Sequence, residues 1–330
     1  MRKNWIAFGV IVVLTAAAVA VPVLGKIQSE RDLITLHARM AENGGWTPQN
    51  LTAEVGVPLK LRLTSDDVLH SFAIGQSDQP AVDVKPGEMS ETTLVFDYPG
   101  KYTFYCTRWC GANHWRMRGT IEVSGPPAAG ASPTSQPPLY AQLGINIDQP
   151  HPAVATPPAR PDANSALDQQ AVIDPAYRSQ DYYLTHSPAQ AFQELRANPA
   201  LRSKNDQQVW NLVAKIWQAN FTPLALAEGQ KLYNQNCAAC HGTNGDGQGV
   251  MARNLQEQQA MEMGREIQKP ASFTDPATML GASPALLQGK IIRGGMGTGM
   301  PYWGPVFTER QTWDLVAYLW SFQFNLEDQK

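Results

Sequence analysis

Apolar and polar positions alternate with a period of two between residues 46 and 123. Leu59, Leu61 and Leu63 alternate with polar residues, and Tyr102 and Phe104 share one face of a later strand. Turn signals rich in proline and glycine separate these runs. Short alternating strands with regular turns predict a small all-β sandwich over residues 46–125.

From residue 174 onward the apolar positions follow a helical period instead. The clearest amphipathic stretches are residues 189–197, 206–220, 224–236 and 308–324. These stretches predict a helical connector over residues 166–221 and an all-α domain over residues 222–330. The residues alone leave open whether the connector helices pack on that domain or on a partner.

Three further segments have distinct compositions. Residues 5–25 are uncharged and follow a short basic head, and about 20 such residues span a bilayer, so residues 1–26 are predicted to be a membrane anchor with the remainder outside the cytoplasm. A cleaved signal peptide is the alternative, because Ala18-Val19-Ala20 resembles a cleavage site. Residues 27–40 are predicted to form a short amphipathic helix that ends at Gly44-Gly45, within a connector over residues 27–45.

Ten of the 25 prolines lie between residues 126 and 161, among many Ala, Ser and Thr residues. Such a composition buries too little apolar area to fold by itself. Residues 126–165 are therefore predicted to be an extended, semi-stiff linker. The chain is thus expected to be multidomain.

Charge and cysteine content narrow the function. The formal net charge of -3 argues against a nucleic-acid partner, which would favour a basic surface. Four cysteines are too few for a disulfide framework. All four instead fall into two metal-binding patterns.

The first pattern is Cys-x3-Cys-x3-His-x2-Met, formed by Cys106, Cys110, His114 and Met117. Thiolates, imidazole and thioether are ligands that suit copper. His70, at the end of an apolar run, is the candidate for a second imidazole. Because a mononuclear blue site needs one cysteine, the second cysteine favours two thiolates that bridge two coppers, the mixed-valence centre called CuA. A disulfide between the two cysteines is the alternative, but it leaves the histidine and methionine unexplained.

The second pattern is Cys237-Ala-Ala-Cys240-His241, the attachment signature for a covalent haem c. The cysteines would form thioethers and His241 would be the proximal ligand. Met296 and Met300 are candidates for the sixth ligand.

Residues 46–123 resemble the CuA domain of cytochrome c oxidase subunit II. The resemblance rests on Asp67-Val-Leu-His70-Ser-Phe72, on Tyr98-Pro-Gly-Lys-Tyr102 and on the cysteine loop. It implies a cupredoxin fold, with His70, Cys106, Cys110, His114, Met117 and the carbonyl of Arg108 as copper ligands. Many family members have Glu at the position of Arg108, where it helps to bind a non-redox metal, and that site is not expected here.

Residues 222–325 resemble class I cytochrome c. In that family the ligand methionine commonly precedes proline, which favours Met300, followed by Pro301, over Met296. Methionine–histidine ligation raises the haem potential.

Residues 208–217 also resemble residues 311–320 of the same chain, and this internal similarity has two explanations. The two helices converged on similar surfaces, or the connector is the remnant of a second cytochrome-like unit without haem.

Together the resemblances imply a non-catalytic redox subunit of a haem-copper oxidase in the plasma membrane, with its redox domains on the periplasmic side. Electrons would enter from a cytochrome c, a cupredoxin or a quinol-oxidising complex, pass through haem c and CuA, and leave for a membrane-embedded catalytic subunit that reduces oxygen. Two alternatives remain: the same role in a CuA-containing nitric oxide reductase, and a free-standing anchored electron carrier.

Overall fold

The computed structural model describes residues 33–77, 79–111, 113–130, 137–165, 174–252, 269–295 and 300–326. The chain divides into two compact units, one formed by residues up to 133 without residues 74–79, and the other by residues 74–79 and 134–330. Across the described ranges, no helix is long and apolar enough to cross a membrane. The anchor predicted over residues 1–26 lies outside those ranges.

The first unit is a sandwich of two sheets. Its strands are β1 (Leu33–Ala38), β2 (Trp46–Thr47), β3 (Asn50–Glu54), β4 (Leu59–Ser65), β5 (His70–Ile74), β6 (Val82–Val84), β7 (Ser90–Leu94), β8 (Gly100–Tyr105) and β9 (Arg118–Ser124). One sheet has the order β2-β1-β4-β7 and the other the order β3-β9-β8-β5-β6. The all-β sandwich predicted from the sequence is confirmed.

Alternation along the strands builds the core of the sandwich. Leu61 and Leu63 on β4 are fully buried, while Arg62 between them is half-buried. Trp46 meets Phe72 and Phe104 edge-on with ring centroids 5.8 Å apart in each case, so aromatic packing joins strands from both sheets. This core lies directly below the ends of β5 and β8, where the copper-binding candidates begin.

The helix predicted over residues 27–40 is wrong for its described part, since residues 33–38 form strand β1. This strand pairs in parallel with β4, with Leu36 opposite Leu63. Leu36 and Ala38 are buried while His37 between them is only half-buried, which is a period of two. Pairing with a buried neighbour strand outweighs the helical pattern of a short segment. Gly44-Gly45 instead ends a single 3-10 turn, Ala41–Asn43, with positive φ angles of 108° and 65°.

The second unit is helical, as predicted. Its helices are α1 (Leu139–Gln142), α2 (Gln180–Thr185), α3 (Pro188–Ala197), α4 (Asp206–Gln218), α5 (Pro223–Asn236), α6 (Ala238–His241), α7 (Pro276–Met279), α8 (Pro284–Arg293) and α9 (Glu309–Trp320). Helices α5 and α9 pack closely against each other at Gly229, where a Cβ atom would lie 2.0 Å from the carbonyl oxygen of Asp314. Only glycine permits this approach.

The connector helices pack on the C-terminal helix, which answers the question that the sequence left open. Trp210 and Trp217 on α4 are fully buried. Trp217 meets Trp320 of α9 in an edge-to-face contact with ring centroids 6.0 Å apart. The connector thus shares one core with the domain that carries the haem motif.

The internal similarity extends from aromatic spacing to helix capping. A capping box begins α4 at Asn205 and Gln208, and another begins α9 at Thr308 and Gln311. Two earlier pairs of caps, each followed by proline and alanine, also recur in the same order: Asp174 with Asp275, and Ser187 with Ser283. Such caps are common at helix starts, and Asn198, followed by Pro199 and Ala200, provides a further one between Ser187 and Asn205.

The extended, semi-stiff linker predicted over residues 126–165 packs along the second unit over residues 137–165 and includes the short helix α1. Ala163 N donates to the carbonyl of Asn325 at 3.0 Å, and Asn325 N donates to the carbonyl of Pro161 at 2.8 Å. Ile147 and Ala163 are buried. We call residues 137–165 the strap. It contains turns of its own, and further polar groups find partners on the helices, as where Asp162 N donates to the Oδ1 of Asn211 at 3.0 Å.

Candidate metal centres

Two loops at one end of the sandwich carry the copper candidates. His70 opens β5, while Cys106 directly follows β8, and a short loop then leads through the 3-10 turn His114–Arg116 to β9. Within this loop Cys110 and Met117 are buried, as are His70 and His114. Strand ends therefore bring soft donor atoms from distant parts of the sequence into one dry site.

The donor atoms converge as the spacing predicts. One donor atom each of His70, Cys106 and Cys110 lies within 4.8 Å of the other two. The Sγ of Cys110 is 3.4 Å from the Nδ1 of His114 and 3.2 Å from the Sδ of Met117. On the other side, the Sγ of Cys106 is 3.9 Å from the Nδ1 of His70 and 3.3 Å from the carbonyl oxygen of Arg108.

The two sulfurs are not bonded to each other, because both cysteines are free thiols. Their contact shifts their acidities in opposite directions. The hydrogen bond from Cys110 is the main cause that lowers the pKa of Cys106, and the same contact raises the pKa of Cys110. The contact thus favours the thiolate form of Cys106, the form that binds metal.

Asp67 orients the imidazole of His70. Its Oδ1 lies 2.7 Å from Nε2, and a carboxylate can only accept there, so Nε2 carries the proton and Nδ1 is free to face Cys106. Burial opposes ionisation of Asp67, but hydrogen bonds from His70 and from the backbone of Met40 and Val68 outweigh it and lower its pKa to about 2. The carboxylate therefore accepts over the whole physiological range.

This donor set fits copper. Each imidazole presents Nδ1 to a different cysteine sulfur, with a thioether near one sulfur and a carbonyl oxygen near the other. Two thiolates and two imidazoles in a buried pocket match the preference of copper for soft and borderline ligands. His70, Cys106 and Cys110 can bind copper.

The side chain of Arg108 turns away from the sulfurs. Its guanidinium donates to both carboxylate oxygens of Asp83, at 3.0 and 2.9 Å. This two-point contact fixes the residue whose carbonyl oxygen faces Cys106. No metal site at the Arg108 side chain is needed to explain its conformation.

In the second unit, α5 leads directly into the haem motif. Cys237 ends this helix, and α6 carries Cys240 and His241. The Nδ1 of His241 lies 3.0 Å from the carbonyl oxygen of Ala271 and must donate to it, which leaves Nε2 with a free lone pair. Burial lowers the pKa of His241, so the imidazole is neutral. A neutral ring with a free Nε2 is the form that binds haem iron.

Close packing fixes the loop after His241. The ring of Phe273 stacks on the imidazole, with centroids 4.5 Å apart. Tyr233 donates its hydroxyl to the carbonyl of Gly242 at 2.6 Å. A Cβ at Gly249 would lie 2.1 Å from the carbonyl oxygen of Ala239, so the loop returns against the motif itself.

Of the two methionine candidates, Met300 is described and Met296 lies outside the described residues. The carbonyl of Met300 accepts from the N–H of Gly295 at 3.2 Å. A Cβ at Gly294 would lie 2.4 Å from the carbonyl oxygen of Pro301 and clash with it. The backbone at Gly294 and Gly295 therefore lies beside the backbone at Met300 and Pro301.

Sequence reasoning missed two residues that shape the copper candidates, Asp67 and Asp83. Asp67 lies three residues before His70, a spacing that could have suggested the contact. Asp83 is 25 residues from Arg108, and no local signal joins them.

The comparisons with known proteins agree with this geometry. Residues 30–124 match the family model described as "Cytochrome C oxidase subunit II, periplasmic domain", and residues 226–323 match that described as "Cytochrome c". The chain joins a subunit II periplasmic domain to a cytochrome c domain.

Two curated relatives of the subunit II domain are both named cytochrome c oxidase subunit 2, and both come from Thermus thermophilus. Each is 35% identical to the chain over 79 residues, which is 24% of this chain and 58% of one relative or 46% of the other. The chain thus spans about half the length of the curated relatives that it matches. The solved periplasmic domain of subunit II from Bradyrhizobium japonicum is 19% identical, with a TM-score of 0.25, over 28% of this chain and 83% of that one.

Proposed function

We propose that this chain is the subunit through which electrons enter a haem-copper terminal oxidase. It takes electrons from a donor, such as a cytochrome c, a cupredoxin or a quinol-oxidising complex, and passes them to a separate membrane-embedded subunit that reduces oxygen. The observation that carries the proposal is the buried convergence of two thiols, two imidazoles and a thioether in one unit, with a haem c motif in the other. The subunit II match supports the choice of an oxidase partner.

In this proposal His70, Cys106, Cys110, His114, Met117 and the carbonyl of Arg108 would hold CuA. Cys237 and Cys240 would attach haem c, and His241 and Met300 would be the ligands of its iron. When bound, the two cofactors supply one-electron redox chemistry. The chain itself keeps the imidazoles of His70 and His241 in one tautomer each. It also buries the sulfurs of Cys106 and Cys110, which favours a fixed geometry in both redox states. It has no catalytic residue of its own.

The same proposal also gives the cellular location of the redox domains. The redox domains lie on the periplasmic side of the plasma membrane, and one N-terminal helix anchors them. The subunit II match to a periplasmic domain supports this side.

Metal and haem analysis with EPR tests the cofactors. We expect two coppers and one covalent haem per chain, with a copper hyperfine pattern of one electron shared over two nuclei. The Cys110→Ser variant should lose this pattern and keep the haem spectrum, because the haem motif lies in the other unit. Cys237→Ser is the reciprocal control, which should impair haem attachment and keep the copper spectrum. One copper per chain with a blue mononuclear spectrum would overturn the binuclear assignment.

The partner is tested by mild detergent extraction. A large haem-containing membrane subunit should purify with this chain, and the complex should consume oxygen. Consumption of nitric oxide instead would favour the reductase alternative. Extraction of the chain without such a subunit would favour a free-standing carrier.

A further inference from the structure

The turn between β1 and β2, together with the first residue of β2, contacts both copper-binding loops although it supplies no candidate ligand. We call residues 39–46 the crossing turn. Its members contact Asp67, whose carboxylate bonds to His70, and Asn113, which directly precedes His114. They also contact the backbone carbonyl of the candidate ligand Met117. Nothing in the sequence pattern of this segment indicates a role in a metal site.

The strongest of these contacts joins Glu42 to Asn113. One carboxylate oxygen, Oε1, accepts from the backbone N–H of Asn113 at 3.0 Å and from its side-chain amide at 2.8 Å. Asn113 is the residue that starts the 3-10 turn His114–Arg116, and its side chain caps no N–H of that turn. Glu42 therefore fixes the residue before His114 by two bonds that cross 71 positions of sequence.

The side chain of Met40 packs against the loop that carries Cys110 and His114. A Cβ at Gly111, whose φ is 152°, would lie 3.2 Å from the Sδ of Met40. Met40 in turn donates its backbone N–H to the Oδ2 of Asp67 at 2.7 Å. The crossing turn thus links the loop of His70 to the loop of His114 by a backbone bond at one end and a carboxylate at the other.

We propose that Glu42 is a positioning residue of the copper centre, which sets the orientation of His114 through Asn113. This inference rests on the proposed copper site. The imidazole of His114 faces Cys110 across 3.4 Å, so a small rotation of the turn would move Nδ1 away from the sulfur. Residues that orient a metal ligand without touching the metal typically change metal affinity about 10- to 100-fold when they are removed.

Two substitutions separate hydrogen bonding from charge. Both bonds from Asn113 end on the same oxygen of Glu42, so the amide oxygen of Glu42→Gln can accept both without the negative charge. Glu42→Ala removes the bonds and the charge together. Glu91→Ala is the matched control, since it removes a carboxylate that accepts from Arg62 elsewhere in the same unit.

The experiment uses the full chain loaded with haem and copper, and measures copper loss to a chelator together with the nitrogen hyperfine coupling of the histidines. We expect Glu42→Ala to lose copper roughly 10-fold faster and to shift one histidine coupling. Glu42→Gln and Glu91→Ala should stay near the wild type. Unchanged retention and coupling in Glu42→Ala would overturn the proposal, and so would equal changes in Glu42→Ala and Glu42→Gln, because these indicate an effect of charge alone.

Unfolding of the copper-free variants in urea separates positioning from folding. A Glu42→Ala chain that is as stable as Glu91→Ala without copper, but loses copper faster, supports positioning. If the wild type holds a single blue copper, the binuclear proposal fails, while the ratio of copper loss between Glu42→Ala and Glu42→Gln still decides the role of Glu42. Absence of any copper in the wild type would overturn both proposals.

Discussion

His70 and His114 present the same ring nitrogen to a cysteine sulfur, yet different neighbours orient them. Asp67 contacts the far nitrogen of His70 directly, whereas Glu42 acts on the backbone before His114. A direct contact selects the tautomer, and a backbone contact selects the position of the ring. The two cysteines could be recognised from their spacing, and the short separation of Asp67 from His70 could have suggested that contact. Glu42 could not be recognised, because its contact with Asn113 spans 71 positions of sequence.

The surroundings of a single buried residue, Trp46, predict the effect of its substitution on stability. Its indole N–H donates to the carbonyl of Met117 at 3.2 Å, and its ring is buried between Phe72 and Phe104. Trp46→Phe keeps an aromatic ring but removes the donor and some volume. We expect the free energy of unfolding to fall by about 1–3 kcal/mol.

Urea unfolding of the copper-free chain measures this change. Trp109→Phe is the control, since Trp109 is 47% exposed and its loss should change stability by less than about 0.5 kcal/mol. Equal stability of the two variants would contradict a structural role for the Trp46 indole.

Among the elements, those with strong local patterns were predictable and those that depend on a partner were not. The leucines of β4 and the aromatic residues of α4 and α9 follow the periods of their elements, so the sandwich and the helices could be read from the sequence. Strand β1 has six residues and gains its identity from pairing with β4. The strap shows no regular period, and its position depends on residues that lie between 48 and 164 positions later in the sequence.

An ion pair that fixes the strap predicts how the stability of the second unit depends on pH. Both carboxylate oxygens of Asp148 accept from the guanidinium of Arg293 at 2.6 Å, and this contact lowers the pKa of Asp148 below its usual 3.8. A lowered pKa in the folded state stabilises the fold above the ordinary pKa and ceases to do so as the pH falls through the lowered value. Asp148→Asn should therefore unfold at a lower temperature than the wild type at pH 7, by a small margin that disappears at an acidic pH below the lowered pKa of Asp148.

Thermal unfolding at the two pH values measures that margin. Asp181→Asn removes an exposed carboxylate of the same unit outside the strap and should show no such convergence. A difference between Asp148→Asn and the wild type that persists in acid would show that the ion pair is not its cause.

Across the whole molecule, the two metal-binding patterns fall in two units with separate cores. Leu61, Leu63 and Trp46 build the core beneath the copper candidates, while Trp217 and Trp320 lie in the core of the helical unit. The pairing of cofactor with fold could be predicted from the sequence, because each motif lies within one pattern. The inclusion of the connector and the strap in the helical unit could not.

Copper removal should therefore change one unfolding transition and leave the other. A ligand that binds only the folded state stabilises it by about 4 kcal/mol at a thousand times its dissociation constant. Chelation should lower the unfolding temperature of the sandwich, measured by calorimetry, without changing the temperature at which the haem absorption spectrum shifts. A common shift of both transitions would contradict two independent cores.

The contact between Trp217 and Trp320 bears on how the haem protein could be made in isolation. A polypeptide shortened to start at Thr222, just before the cytochrome c match, would leave the buried ring of Trp320 facing water on the side that Trp217 covers. Such a product would be prone to aggregate, whatever the state of its haem. The smallest soluble form should retain the strap and the connector helices from about residue 137 onward, a boundary set by packing and not by homology.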